Sequence, residues 1–544
     1  MQSSSYDCTA DFVPIQDTGY FSKLVNDYLN QDESLKPFFD FELSDQGLLK
    51  AIEKRRKYPV DRKSLHAVIK KQYEGLELSE AAQKNLEALL DQNTFTVCSA
   101  HQPNLMTGYM YFFYKIIHSV KLATHLKKIA PNDNFVPVFF IGSEDNDFEE
   151  LNHFKYNGRL FEWQTNQSGA VGMMQSDEQL QKLIEELFSI LGPLGINEKT
   201  LKSIIAKAYK SGNSISDAKR IFINDFLGEM GVLVLDANVK EMKQQFSNVI
   251  KEEILNPKAF GLVQETSNHI QEKYKAQAFF RPINLFYLKE NIRERIEKHK
   301  EEFSVINTNI RFSEGLIEAE INNNPERFSP NVILRGVYQE TILPNVAFIG
   351  GGSEVAYWMQ LKSVFEYYKV FFPMVVLRQS GLIMDEVTNS LKLKIGLDNK
   401  VIFKKTNELV SEIIETEKHS NWSLESYYSE LNQWQDSLEN KLINLDKNLI
   451  TTIKSTLTKS KYQLGILEKK INHSIKNQKE IEIKRVESFK AHSFPNDNLQ
   501  ERQETFMQFY LDFGQKLFQD ILKHTTVFGD QFLILTYKHK DGLS

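Results

Sequence analysis

Three stretches of the 544-residue chain concentrate the side chains able to do chemistry. The first is Ser99-Ala-His-Gln-Pro-Asn-Leu-Met-Thr-Gly108, with Lys115 following. His101 and Gln102 can hydrogen-bond a phosphate or a leaving group, Thr107 and Gly108 lead into the next helix, and Lys115 adds positive charge. A polar loop between the carboxyl end of a strand and a helix is where open α/β sheets bind ligands, because backbone N–H groups and the helix dipole converge there. The competing reading is that His101 and Gln102 only satisfy loop backbone groups and that Lys115 reaches out to solvent.

The second stretch, Ser143-Glu-Asp-Asn-Asp-Phe-Glu-Glu150, follows another apolar run directly. Glu144, Asp145 and Asp147 could hold Mg²⁺, grip an amino group or supply a general base. Glu149 and Glu150 read as a solvated surface, and Glu150 stands where a calcium-binding EF-hand loop needs glycine. The third stretch joins Arg327-Phe-Ser-Pro330 and Arg335 to Gly350-Gly-Gly352, Glu354, Tyr357, Gln360, Arg378 and Ser380. Glycines between strand and helix let a ligand approach the backbone, and Glu354 and Tyr357 share a helix face. Arg335 and Arg378 suit bidentate carboxylate or phosphate binding, with structural ion pairs as the alternative.

These residues need a scaffold, and the pattern supplies one. Residues 18–93 show apolar residues three and four apart and read as helices. Phe95–Ala100 reads as a strand, Thr107–Lys128 as a helix and Phe135–Ile141 as a second strand, a βαβ unit. Gly231–Asp236 reads as a third strand. Val346–Ile349, the glycine run, a helix over Glu354–Tyr368 and Pro373–Leu377 form a second βαβ-like unit. The expectation is an α/β protein with a Rossmann-like parallel sheet. Its helical layer spans 1–94, its core 95–395 with insertions at about 150–330, its long helices 396–490, and a docking segment 491–544. Leu431, Trp434, Leu438, Leu442, Leu445, Leu449, Ile453 and Leu457 form one apolar stripe and Leu464, Leu467, Ile471 and Ile475 a second, with Gly465 near the start of the second. We expect an antiparallel helix pair turning near Gly465, and dimerisation through it.

Composition removes several classes. With 66 Lys and Arg against 72 Asp and Glu the net charge is −6, so there is no global positive field for a nucleic acid. Cys8 and Cys98 are the only cysteines and neither has zinc-site spacing; Cys98 reads as a small core hydrophobe. No metal-ligand set, GxSxG, HExxH, Walker A or kinase signature occurs. The first residues lack a secretory signal pattern and no apolar run approaches a membrane span, so a cytoplasmic protein is expected.

The three stretches, in this order and ahead of a long helical region, resemble the BshC family, the cysteine ligases of bacillithiol biosynthesis. The similarity runs from Phe12-Val-Pro-Ile-Gln-Asp-Thr-Gly-Tyr20 to Asn498-Leu-Gln-Glu-Arg502. Its most specific pieces are His101-Gln102 with Thr107-Gly108, Ser143–Glu149, Arg327-Phe-Ser-Pro330 and Gly352–Leu361. The resemblance implies a nucleotidyltransferase-like and class I synthetase-like core with connecting-peptide insertions and a coiled-coil domain that makes a homodimer. It also implies a reaction, the ATP-dependent joining of the cysteine carboxyl group to the amine of glucosaminyl-malate through an acyl-adenylate. ADP or AMP would then be a product-like ligand and Mg²⁺ a companion. Ser99-Ala100 stands where the family has Thr-Gly, Tyr109-Met-Tyr111 replaces Pro-Leu-Tyr, and no KMSKS-like loop is visible. The rival readings are a ligase or nucleotidyltransferase acting on another amine, and a non-catalytic nucleotide-binding scaffold.

Overall fold

Apolar runs with β-branched and aromatic residues become strands buried on both faces, and five of them build the central sheet. They are β1 (Thr94–His101), β2 (Asn134–Ile141), β3 (Leu233–Asp236), β4 (Asn345–Gly350) and β5 (Met374–Leu377). The computed structural model describes residues 6–192, 195–275, 281–442, 444–446 and 448–540. All five strands are parallel, in the order β5-β4-β1-β2-β3. Register is fixed at the centre by Cys98 of β1, which lies between Phe348 of β4 and Val138 of β2. Helices on both faces explain why these strands are continuously apolar rather than alternating.

Helix α1 (Tyr111–Ile129) makes the crossover from β1 to β2, and α2 (Val332–Ile342) precedes β4. The short helix α3 (Gly352–Trp358) leaves β4 on the way to β5. α1 is buried almost all round, with Phe112, Phe113, Ile116 and Ile117 shielded together with Lys115 and His118. The chain enters the sheet at β1, builds outward through β2 and β3, then returns to β4 on the other side of β1. That reversal opens a crevice between the carboxyl ends of β1 and β4.

The rest of this unit, residues 1–383 with 500–544, differs in part from the sequence reading. Tyr6–Pro14, inside the expected helical layer, is a strand paired antiparallel with Gln531–His539, which also neighbours Ser380–Met384. Its Cys-Thr-Ala-Asp-Phe-Val alternation is masked by charge. Within 150–330 an antiparallel sheet forms from Arg311–Ser313, Glu302–Val305, Ile292–His299, Leu285–Lys289 and Phe328–Pro330. Ile292–His299 is too charged to look like a strand, and ladder pairing overrides its composition.

The second unit, residues 384–499, is helical. Its long hairpin joins Glu425–Leu442 to Asn448–Gln478. The chain turns at Asn444-Leu445-Asp446, well before Gly465, because the Asp446 carboxylate accepts the Asn448 N–H (2.9 Å) and caps the second helix. Gly465 lies inside that helix, with the Tyr428 hydroxyl 3.9 Å from where its Cβ would stand. Among the described residues no helix is long and apolar enough to cross a membrane.

Candidate active site

The ends of β1 and β4 are tied by one lysine. Lys115, on the first turns of α1 and 2% exposed, donates to the Ala100 carbonyl (2.8 Å) and to the Glu354 carboxylate. Glu354 in turn accepts the Gly351 N–H (2.8 Å), so the two strand ends and the starts of two helices form one joint. A Cβ at Gly350 would stand 3.0 Å from the Phe348 ring and from the Glu354 side chain, a tight fit that would press on both.

The loop after β1 is held in an unusual shape. Met106 and Thr107 have φ of +48° and +70°, left-handed values that a β-branched threonine rarely adopts. Lys219 donates to the Asn104 carbonyl (2.8 Å), the Tyr209 hydroxyl accepts the Met106 N–H (2.7 Å), and Met110 N–H bonds the Glu504 carbonyl (2.8 Å). Strain of this kind persists where the surroundings impose it.

A cavity of about 610 Å³ opens above this joint. Of the residues singled out by sequence, His101, Gln102, Lys115, Glu144, Asp145, Arg335, Gly352, Glu354, Tyr357 and Arg378 line it. His101 Nε2 lies 3.3 Å from the Tyr111 hydroxyl. Desolvation, then the charges of Lys115, Lys219, Arg378 and Arg335, hold its imidazole well below the usual histidine range, so it is neutral at pH 7. Gln102 donates to Asp145 (2.8 Å) and to Glu150 (3.4 Å), making an acidic pole. Glu144 is paired with the fully buried Lys243, which also donates to the Phe328 carbonyl (2.8 Å). Arg335 donates to the Tyr357 hydroxyl (2.6 Å), while its buried Nη1 has no partner among the described residues.

Other predicted residues lie outside the lining. Asp147 caps a short helix by accepting the Glu150 N–H (3.3 Å), and Thr107 is buried in the strained loop next to Gly108. Gln360 is fully buried and donates to Ser267 (2.6 Å), and Ser380 accepts from Arg378 (3.1 Å). Arg327 pairs with Glu320 (2.6 Å) away from the cavity, while its neighbour Pro330 lines it. Sequence reasoning missed Tyr111, Arg293 and Arg502, and left Glu150 on the surface; all four line the cavity. Cys98 is fully buried and burial pushes its thiol pKa up, as suits a core residue rather than a nucleophile.

Comparison with known proteins agrees with this architecture. The description "Bacillithiol biosynthesis BshC, N-terminal Rossmann-like domain" matches residues 9–379, and "Bacillithiol biosynthesis BshC, C-terminal coiled-coil domain" matches 381–537. Proteins named "Putative cysteine ligase BshC" are similar over nearly their full length. That of Flavobacterium johnsoniae is 36% identical over 97% of this chain and 99% of its own. That of Flavobacterium psychrophilum is 35% identical over 94% and 96%, and that of Christiangramia forsetii 35% over 96% and 98%. With both domains matched in order and relatives above 30% identity end to end, the chain belongs to the BshC family of bacillithiol biosynthesis.

Proposed function

We propose that the protein is an ATP-dependent amide-forming ligase that joins the carboxyl group of cysteine to the amine of glucosaminyl-malate, giving bacillithiol. The observation that carries this reading is the polarity of the cavity. Carboxylates and a carboxamide (Asp145, Glu150, Gln102) and the guanidiniums of Arg293, Arg335, Arg378 and Arg502 line one cavity. An amide-forming site must hold an amine and anionic groups at once, and a lining that carries both kinds of charge suits that task.

In this reading Asp145 and Glu150 hold the acceptor ammonium and take the proton it sheds as its nitrogen attacks the activated carbonyl. The C–N bond forms as the C–O bond to the leaving group breaks. Gln102 keeps the two carboxylates together. Neutral His101, steadied by Tyr111, donates or accepts a hydrogen bond without adding charge. Arg335, Arg378 and Lys115 stabilise negative charge on the reacting groups. Thr107, Gly108, Asp147, Gln360 and Ser380 then act by shaping the loop and walls rather than by touching substrate. The guanidiniums of the cavity, among them Arg335 with an Nη1 that no described residue bonds, are chemically suited to a triphosphate. ATP would supply the activation that a free carboxylate lacks. A biosynthetic enzyme of this kind works in the cytoplasm, and we read it as a homodimer formed through the helical hairpin.

The test is the bimane-labelled thiol profile, with glucosaminyl-malate measured by mass spectrometry, in the source organism lacking this gene. Bacillithiol should disappear and glucosaminyl-malate build up. The wild-type gene should restore the profile and Asp145→Ala should restore less than a tenth of it. An unchanged profile in a strain that makes bacillithiol would reject the assignment.

A further inference from the structure

One wall of the cavity comes from a segment that precedes the last two helices of the chain and that the sequence motifs did not mark as functional. Gln500–Arg502 forms a single turn of 3₁₀ helix. Glu501 is fully buried, and its carboxylate accepts from Arg378 Nη2 (2.7 Å) and from the Gly381 N–H (2.9 Å). Gln500 bonds both backbone groups of Ile383, at 2.9 and 3.0 Å. Two residues on, the Glu504 carbonyl anchors the entrance of α1 through Met110. The turn is therefore fixed to a strand on one side and to a helix start on the other.

This anchoring fixes two guanidiniums at one site. Arg378 is 3% exposed, stacks over Tyr111 (5.1 Å to the ring centre) and is neutralised by Glu501. Arg502 lines the same cavity, yet no carboxylate lies within 4 Å of it and no hydrogen bond holds it among the described residues. Desolvation and then the positive charge of Arg378 push the pKa of Arg502 down, the Glu501 carboxylate works against them, and the residue as a whole stays exposed. Placing like charges together costs free energy unless an anion joins them. Arg335 adds another guanidinium to the cavity, with no carboxylate within 4 Å among the described residues.

We propose that Arg502 is a substrate-binding residue that grips an anionic group, a carboxylate or a phosphate, beside Arg378, and that Glu501 is the positioning residue that orients Arg378 there. The inference rests on the ligase reading only for which anion is bound: the carboxylates of the acceptor or the phosphates of the nucleotide.

Calorimetric titration of the full-length protein with L-malate and, separately, inorganic pyrophosphate tests it. Arg502→Ala should raise the Kd of one of these anions at least tenfold, with Arg502→Lys between it and wild type. The melting temperature should stay within a few degrees, since Arg502 holds no other structure together. A loss confined to L-malate assigns the residue to the acceptor carboxylates. A loss confined to pyrophosphate keeps Arg502 as an anion site but removes it from acceptor recognition. Kd values within twofold of wild type for both anions, or no binding of either by wild type, would overturn the proposal. Glu501→Gln should raise the Kd of whichever anion Arg502→Ala weakens and the KM of the substrate that carries it, leaving KM for the other substrates as in wild type. An equal fall in every parameter along with the melting temperature would reduce Glu501 to a structural role.

Discussion

His118 shows how one side chain reports the state of the core. It is fully buried on α1, its Nδ1 accepts the Gln379 N–H (2.9 Å), and its Nε2 lies 3.0 Å from the Val527 carbonyl. These partners require a neutral ring with the proton on Nε2, and burial lowers its pKa from 6.5 to about 4. A folded-state pKa below the unfolded value means that stability is complete above about pH 6.5 and drains away as pH falls toward 4. By linkage the effect is on the order of 3 kcal/mol. Urea unfolding at pH 7.5 and pH 4.5 should show a smaller loss in His118→Gln than in wild type; equal losses would mean that the ring does not titrate in this window. Around the cavity, residues at the carboxyl ends of β1, β2 and β4 were legible because the βαβ pattern fixes where such ends meet. Arg293 and Arg502 were not, since they arrive on a strand of the inserted sheet and on a turn near the end of the chain, and no local pattern links them to His101. Asp147 carried a signal with two meanings, because an acid before a helix is as good a cap as a ligand.

At the scale of elements, the parallel strands were readable because burial on both faces forces continuous apolar runs. Edge and inserted strands were not, since Tyr6–Pro14 and Ile292–His299 expose one face and carry charge. The helical hairpin lay between these cases: its stripe was legible but its turn was not. Ile453 and Leu457 of the stripe are buried, whereas Trp434 is 45% and Leu467 46% exposed. These two, with Tyr427, Leu431 and Leu464, line an apolar groove along the hairpin. Apolar surface of this kind calls for a partner, and a second copy of the same hairpin would supply the matching aromatic and leucine side chains. Sedimentation of the wild type should give a dimer. Trp434→Glu with Leu467→Glu should raise its dissociation constant at least tenfold without loss of helicity. An unchanged dimer would place the interface elsewhere, and a wild-type monomer would end the homodimer reading.

For the molecule as a whole, connectivity makes the helical unit an insertion into the other one. The first unit leaves at Ile383 and resumes at Gln500, and the Gln500 side chain bonds both the N–H and the carbonyl of Ile383. Exit and re-entry are thus clasped to each other by the first unit itself, and the termini of an inserted domain commonly sit close together in this way. The clasp also explains how a site can draw on Lys115, Glu354 and Arg502 from such distant parts of the chain: residues after the helices return to the point where residues before them stopped. Folding of the site should then depend on the clasp and not on what the intervening chain does. Replacing residues 386–497 with a Gly/Ser linker of about six residues, long enough to span a short gap, should give a monomer with a single cooperative thermal transition. Its Kd for the anion that binds wild type should stay within about threefold. A shortened chain that folds yet fails to bind would show that the helical unit contributes to the site directly, and one that does not fold would show that the first unit depends on it for stability. Either result would contradict the insertion as argued, in which Ile383 and Gln500 close the first unit without help.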